Sequence, residues 1–375
     1  MKKSVLAVAV GAAMAMASAA HADVSVYGKA HVSIDSLNNG DKSYLYVSSN
    51  SSRIGFKASE DIEGGLKLGF LAEQTIVMDG SGSSVFDRET YVSLGGGFGG
   101  VAVGKIDTPM KSLGRKIDFF GDQIGDSRNL IAQSASLETL GYTAATAAAA
   151  GLCPGLTTAQ CTTAVKTKNI GFDARPGNMI TYSMPDMGGI GATIAFIPED
   201  GTKNGSGYDL GGNYTGGPLF VGVAYESHGK GMNGGGEVES GLRLGGSYAM
   251  GDAKVAGMIQ SSKNIYGFKD FNTTIFGVGA SFKLGAGAVK GQLYKADKYK
   301  DSSKTGATMI ALGYDHTLSK NTSVYAAYAV TSNDDFGRYS VAGAGHGANP
   351  GVYVNPTTLK SESPSGLSFG VVTKF

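Results

Sequence analysis

Carboxylates at a regular spacing are the first candidates for chemistry in this sequence. Asp118, Asp122 and Asp126 recur every four residues, with Phe119 and Phe120 between the first two. Carboxylates spaced in this way could line one solvated face of a helix, or they could act together on a passing cation. The spacing is not that of an EF-hand loop, so it does not indicate a divalent-ion site, and we expect no metal or cofactor.

Basic side chains at two positions could act opposite such acids. Lys29 lies in a segment where polar residues alternate with apolar ones, and Arg53 opens another such segment beside Ile54. Alternation at period two places both bases on the wet face of a strand. Opposite charges that face each other across a water-filled gap create a transverse field, which acts on small hydrated ions according to their charge. The plainer alternative is that both bases cover a solvated sheet face.

Nucleophilic catalysis finds little support. Beyond the first 22 residues the histidines are His31, His228, His316 and His346, and none of them stands in a recognisable nucleophile motif. Asp315 precedes His316 beside a short turn, where the two suit an interfacial pair better than part of a triad. We expect no enzymatic activity.

The N-terminus carries the pattern of an export signal. Residues 1–22 contain two lysines, a short apolar run and an Ala-His-Ala ending, which predicts a cleaved signal peptide before a single domain of residues 23–375. Without the two lysines the formal charge of +1 becomes −1, so the charge indicates no nucleic-acid partner. No later stretch offers about 18 consecutive apolar residues, which excludes a helical membrane protein.

Two cysteines stand in one long interval. Cys153 and Cys161 are eight positions apart, and in an exported chain this predicts a disulfide within a loop. No CxxC pair or neighbouring histidine accompanies them, so a zinc site is poorly supported.

Short alternating segments fill most of the chain, and they are joined by two kinds of connection that take turns. Seven short turns rich in Gly, Asn, Asp or Pro alternate with eight longer polar loops, which predicts sixteen strands. The predicted long loops are 36–50, 78–85, 105–175, 198–206, 228–238, 264–271, 299–305 and 333–364. An even number of antiparallel strands, with short turns at one rim and long loops at the other, is typical of outer-membrane barrels. A soluble β-sandwich is the alternative, but it does not require this strict order.

Four stretches of sequence resemble the trimeric general porins of Gram-negative bacteria. They are Tyr27-Gly28-Lys29, SRIGFKASEDIEGGLKLGFLAE from Ser52, FDRETYVSLGGGFGGVAVGK from Phe86, and RPGNMITYSMPDMGG from Arg175. The final strand, which ends at Phe375, also resembles the signal read by the barrel-assembly machinery. The resemblance implies an all-β fold: a 16-stranded antiparallel transmembrane β-barrel whose long third loop folds into the lumen.

The same resemblance implies the parts of a pore constriction. Its basic wall would consist of Lys29, Arg53, Arg88 and Arg175, with Glu73 as a wall acid, and its acidic loop would carry Asp118, Asp122 and Asp126. Strict alternation from the strand that follows would turn Arg88 toward lipid, unless a bulge re-aims it or it lies above the hydrocarbon. The implied partners are outer-membrane lipid and lipopolysaccharide, two further copies in a homotrimer, the assembly machinery, and small hydrophilic solutes and ions.

An inserted region distinguishes the loop of residues 105–175 from that family. It runs from about 131 to 168 and includes the run Ala144–Ala150 and both cysteines, and it could enter the lumen or lie at the mouth. The resemblance implies passive diffusion of ions and small hydrophilic solutes through the outer membrane. The alternatives are a substrate-selective channel for anions or oligosaccharides, and, less favoured, a surface adhesin or receptor whose specificity lies in outer loops such as 333–364.

Overall fold

A closed antiparallel barrel forms the body of the protein in the computed structural model. The structure describes residues 23–80, 86–133, 142–152, 158, 161–162, 166, 170–199, 201, 203–233, 236–343 and 345–375. Within these residues one sheet of 17 segments closes on itself, and two of the segments pair with the same edge of the first strand, so they count as one interrupted strand and the barrel has 16 strands. The predicted all-β fold, a 16-stranded antiparallel barrel, is confirmed.

The strands are long enough to cross a bilayer at a tilt, since most have between seven and 16 residues. They are β1 (Asp23–Asn38), β2 (Ser43–Ser49 and Arg53–Ile62), β3 (Leu66–Thr75), β4 (Thr90–Gly96), β5 (Gly99–Lys105), β6 (Met179–Ser183), β7 (Ile190–Ile197), β8 (Gly207–Gly216), β9 (Leu219–His228), β10 (Glu239–Met250), β11 (Ala253–Lys263), β12 (Thr273–Leu284), β13 (Gly287–Ala296), β14 (Ala307–Thr317), β15 (Thr322–Asn333) and β16 (Ser365–Lys374). Each pairs with its neighbour in sequence, and β16 closes the barrel against β1.

The interruption in β2 is a bulge that shifts the pairing register by one residue. Val32 lies opposite Ser49 before the interruption, whereas Lys29 lies opposite Arg53 after it. Ser51 adopts a positive φ of 49° at this point. Bulges of this kind commonly re-aim side chains at barrel rims and functional sites.

The first connection is shorter than the sequence predicts. Residues 36–50 are predicted as a loop, but β1 extends to Asn38 and β2 begins at Ser43. The alternating run around Leu45 and Val47 carries the apolar and aromatic side chains that favour a strand, and both of these side chains are more than half exposed on the outer surface. The other predicted long loops and short turns coincide with the connections between observed strands, although several predicted bounds extend one or two residues into a strand.

Apolar side chains face outward over most of the barrel. Ile34, Val47 and Phe369 are each more than half exposed, whereas the alternate positions in the same strands are polar or small and point inward. This reversal of the usual burial pattern suits a wall between hydrocarbon and water. Among the helices in the described part of the chain, none has the length and hydropathy needed to cross a membrane.

Three α-helices occur in the described part of the long loop between β5 and β6. They are α1 (Pro109–Ile117), α2 (Arg128–Ile131) and α3 (Ala144–Ala149). α1 packs inside the barrel against β8 to β11. The beginning of the loop therefore lies across the interior of the barrel.

Candidate functional site

The start of α1 is fixed to the barrel wall by polar contacts. Thr108 caps the helix by accepting a hydrogen bond from the Lys111 backbone N–H, and its hydroxyl donates to Glu226 Oε2 at 3.0 Å. The Met110 backbone N–H donates to Asp209 Oδ2 at 2.8 Å. Carboxylates at a helix N-terminus satisfy its free N–H groups and match its dipole. The helix therefore has a defined place on β8 and β9.

A row of wall glycines makes room for the apolar face of the loop. At each of these glycines an added Cβ would lie less than 3.0 Å from a loop side chain, which is closer than real side chains pack. The pairs are Gly211 with Pro109, Gly222 with Leu113, Gly245 with Ile117, Gly279 with Phe119, and Gly313 with Phe120. Glycine at these positions lets the loop lie directly on the sheet, so the wall itself sets the position of the loop.

One fully buried arginine joins the two ends of the loop. Arg243 on β10 donates to the Met110 carbonyl at 2.5 Å and to the Phe172 carbonyl at 3.2 Å. Its neighbour Gln260 accepts from Arg243 Nε at 2.9 Å and donates to the Ile131 carbonyl at 3.0 Å. Carbonyl oxygens from three parts of the loop thus converge on one side-chain pair.

The tip of the loop brings an acid against the basic wall. Asp122 Oδ2 lies 2.7 Å from Lys29 Nζ on β1, and Asp122 Oδ1 lies 2.7 Å from Arg128 Nη2 within the loop. Burial alone would raise the pKa of Asp122, but the two cations outweigh it and hold this pKa well below its usual range. Asp122 is therefore ionised at neutral pH.

The two other predicted loop acids bond to the loop itself rather than to the wall bases. Asp126 holds Arg128 through both oxygens, with the shortest contact of 2.6 Å at Nη2. Asp118 ends α1 and accepts from the backbone N–H groups of Phe120 at 2.9 Å and Ser127 at 3.2 Å. The four-residue spacing reflects no helical face, because α1 stops at Ile117.

Asp118 has an unusual protonation equilibrium. Burial, together with the nearby Asp126 carboxylate, raises the pKa of Asp118 to about 7. The group can therefore gain or lose a proton near neutral pH, while Asp122 stays charged.

The wall acid Glu73 forms ion pairs with two predicted wall bases. Its carboxylate lies 3.3 Å from Arg53 Nε and 3.3 Å from Arg88 Nε, and it accepts from the Tyr27 hydroxyl at 2.9 Å. Arg88 precedes the start of β4 at Thr90, so the alternation of that strand does not govern its direction. This explains how its side chain reaches the interior without a bulge in β4.

Arg175 lies at the return of the loop, where it contacts an acid at the beginning of the loop. Its Nε is 2.8 Å from Asp107 Oδ1, and Lys111 Nζ lies 3.5 Å from the same oxygen. Lys111 also contacts Asp173 at 3.3 Å. These charges join the two ends of the loop beside β5 and β6.

Several charged residues of the site are not predicted from the sequence. Arg128 contacts acids in other parts of the loop, and no local pattern indicates it. Lys111 follows Asp107 by four residues, a spacing that could have indicated their contact, but no sequence pattern indicates the contact of Asp107 with Arg175 or of Lys111 with Asp173. The Nε of Arg115, on α1, has no hydrogen-bond partner among the described residues. Among the described residues no group of three or more His, Cys, Asp or Glu side chains is placed to hold a metal ion.

The described part of the inserted region packs on outer loops. Tyr142, Ala147 and Leu152 are buried in one cluster with Tyr266 and Tyr299 from the connections after β11 and β13. The Tyr142 hydroxyl donates to the Phe336 carbonyl at 2.5 Å, and its ring lies 4.8 Å from the Arg338 guanidinium. These residues form a buried cluster among the connections at the long-loop end of the barrel, and neither Lys29 nor Asp122 belongs to it.

Two other sequence predictions lie partly or wholly outside the described residues. Cys161 is disulfide-bonded, but Cys153, its predicted partner, is outside the described part of the chain, as is the predicted signal peptide of residues 1–22. Phe375, the predicted assembly signal, is described: its backbone N–H donates to the Gly28 carbonyl at 3.2 Å, and it is 60% exposed.

Comparisons with known proteins agree with this architecture. The sequence profile of the Gram-negative porin family matches residues 7–335. The chain is 30% identical to outer membrane porin protein 32 of Delftia acidovorans over 392 aligned positions, covering 99% of each chain. It is 24% identical to the major outer membrane protein P.IB of Neisseria lactamica, covering 62% of this chain and 61% of that protein.

Solved structures show the same fold. The structure described as an anion-selective porin from Comamonas acidovorans superposes with a TM-score of 0.70 at 25% identity, covering 94% of this chain and all of that one. A loop-deletion variant of OmpT from Vibrio cholerae superposes with a TM-score of 0.62 at 15% identity, covering 94% of this chain and 99% of that one.

Proposed function

Since the chain belongs to the Gram-negative porin family and forms an outer-membrane channel for passive diffusion, we propose that its constriction favours small anions over cations. The constriction is the opening beside the wall residues Lys29, Arg53 and Arg88, where the loop tip contacts the wall through the Lys29–Asp122 pair. Its field acts on hydrated solutes without closing the opening.

The observation that carries this proposal is the unequal exposure of the paired charges. Arg53 keeps 25% of its side chain exposed, whereas its partner Glu73 keeps 7%. Lys29 keeps 12% and its partner Asp122 keeps 8%. Because acids buried behind bases are less accessible to a passing ion, the basic side chains present more charge to the water path. The description of the Comamonas acidovorans structure as an anion-selective porin supports the same direction.

Reversal potential in unequal KCl tests the proposal. Purified channel in a planar bilayer is expected to give a potential of the sign set by chloride, at a pH well away from the pKa of Asp118. A potential of the sign set by potassium would contradict anion preference, while leaving the channel function untouched. A channel with no preference would contradict it equally.

We also propose the assembly and partners implied by the family. A homotrimer would be supported by one slow band of unheated protein that becomes a single faster band after heating. The outward apolar side chains are suited to outer-membrane lipid and lipopolysaccharide, and Phe375 would be read by the barrel-assembly machinery. Replacing Phe375 with Ala would then reduce the amount of assembled barrel in cells, and unchanged assembly would contradict that role.

An enzymatic role is not part of the proposal, because the related proteins are described as porins and outer-membrane proteins. Among the described residues, His346 Nε2 lies 3.5 Å from Asp35, an acid that also has serines beside it. The hydroxyls of Ser33 and Ser368 donate to Asp35 rather than to His346. A serine nucleophile requires contact with its base, and this arrangement does not supply it.

A further inference from the structure

A cleft of about 430 Å³ lies between α1 and the barrel wall. Its floor is the inner face of β6 to β9, and its side is α1. Lys29, Arg53 and Asp122 do not line it, so it is separate from the constriction. A volume of this size suits a small organic solute.

The cleft contains one cation and one carboxylate without ion-pair partners in the described residues. Lys116 lies on the exposed side of α1, and its Nζ is 5.0 Å from the centre of the Phe220 ring. Glu89 accepts a hydrogen bond from the Asp107 backbone N–H at 3.3 Å. Asp107 also lines the cleft, but Arg175 and Lys111 already pair with it.

The Glu89 carboxylate is influenced by the nearby Arg175, but no cation is in ion-pair contact with it among the described residues. Burial, followed by the neighbouring Asp107 carboxylate, raises the pKa of Glu89. An ammonium group that entered the cleft would stabilise the ionised form of Glu89. The site is therefore incomplete in charge on this side.

Polar and apolar groups divide the rest of the lining. Ser183 Oγ and Thr193 Oγ1 lie 2.9 Å apart on the wall, and Asn213 adds an amide beside them. Leu113 and the Phe220 ring supply an apolar surface in the same cleft. The lining thus offers hydrogen-bonding groups and a place for a small apolar side chain.

We propose that this cleft binds small zwitterions of the amino-acid class during passage, with the carboxylate toward Lys116 and the ammonium toward Glu89. A simple anion would satisfy Lys116 but meet the unpaired carboxylate, and a simple cation would meet the unpaired ammonium. A molecule with both charges satisfies both groups, and an apolar side chain can cover Leu113 and Phe220. This selectivity for one solute class goes beyond the anion preference of the constriction.

Current through single channels in planar bilayers tests the proposal with L-leucine as the probe. Leucine is expected to reduce the open-channel current with a saturating dependence on concentration. Loss of one charge-assisted contact should weaken the apparent affinity about tenfold, so Lys116→Gln and Glu89→Gln should each show this shift. 4-Methylpentanoate, which lacks the ammonium, and isoamylamine, which lacks the carboxylate, should be about tenfold weaker on the wild-type channel.

Lys254→Gln is the matched control variant. Lys254 Nζ also lies over an aromatic ring, at 5.8 Å from the centre of Phe119, but it does not line the cleft. This variant should keep the wild-type response to leucine. The proposal is overturned if leucine leaves the wild-type current unchanged, or if Lys116→Gln and Lys254→Gln respond alike. Reversal potentials on the same membranes measure the ion preference of the constriction separately from leucine binding in the cleft.

Discussion

Lys29 Nζ on the barrel wall lies 2.7 Å from Asp122 Oδ2 on the loop between β5 and β6, and this contact joins residues 93 positions apart in sequence. The pair borders the opening on one side, and Arg128 forms an ion pair with the other oxygen of Asp122. The loop therefore supplies its own cation to the acid that it presents to the wall. A change on either side of the pair alters the field in the opening without removing the loop.

Replacing Lys29 with Gln should shift ion preference toward cations. A unit charge about 4 Å from a passing ion acts on it by about 1 kcal/mol in water, with opposite sign for anions and cations, so we expect the anion-to-cation permeability ratio to fall about 30-fold. Reversal potential in a salt gradient measures the ratio. Lys67→Gln is the control, because Lys67 lies beside the short turn after β2 and its side chain is 59% exposed. Equal ratios for the two variants would show that Lys29 does not act on the permeating ion.

The sequence predicts this wall better than it predicts the loop. Lys29 and Arg53 follow from strand alternation, because side chains two positions apart must share a face. Arg88 does not follow from it, because it lies before the first residue of β4. The partners of Asp122 and Asp126 include Arg128, which turns back within the loop, and local patterns carry no signal for such a turn.

The sequence also does not show where the loop packs on the barrel wall. Gly222 and Gly245 look like ordinary strand glycines, and their meaning appears only when Leu113 and Ile117 lie on them. The number of strands could be predicted because each strand repeats one local pattern. The position of the loop could not, because it depends on contacts between segments about 100 residues apart.

The pH dependence of selectivity should follow Asp118. Its pKa of about 7 means that the carboxyl is neutral in acid and gains a negative charge as pH rises through neutrality. Anion preference should therefore fall between about pH 5 and about pH 9, and Asp118→Asn should remove this step. Reversal potential against pH for both proteins measures it. A step of the same size in Asp118→Asn would assign the titration to another group.

The stability of the folded barrel should fall as pH rises between the pKa of Asp118 in the unfolded chain and its pKa in the folded protein. The folded-state pKa of Asp118 is raised above its ordinary value of 3.8, so the folded protein binds this proton more tightly than the unfolded chain. The contribution is complete below about pH 3.8 and is lost as pH rises through about 7. Thermal unfolding of wild type and Asp118→Asn across this range checks the sign, and a wild-type stability that rises relative to the variant would contradict it.

Replacing a wall glycine beneath α1 with a larger residue should displace α1. A Cβ at Gly245 would lie 2.6 Å from Ile117 Cδ1, so Gly245→Val should destabilise the packed loop by about 1–3 kcal/mol and increase current noise. Gly257→Val on the outer face of β11 is the control, since the nearest atom to its added Cβ is 3.6 Å away. Single-channel recordings at one voltage compare the variants. Steady currents from Gly245→Val, matching those of Gly257→Val, would mean that the wall does not fix the loop.

Tyr142 should hold the inserted region on the outer loops. Truncation to Ala removes a buried ring, its contact with Arg338 and its hydrogen bond to the Phe336 carbonyl, which should cost about 3–5 kcal/mol of local stability. The region should then be cleaved faster by protease added outside intact cells, while the anion-to-cation permeability ratio stays unchanged because the Lys29–Asp122 contact lies elsewhere. Tyr142→Phe keeps the ring and loses only the hydroxyl, so it should be cleaved more slowly than Tyr142→Ala. If Tyr142→Ala instead changed the permeability ratio as much as Lys29→Gln, the inserted region would have to act at the constriction rather than at the mouth.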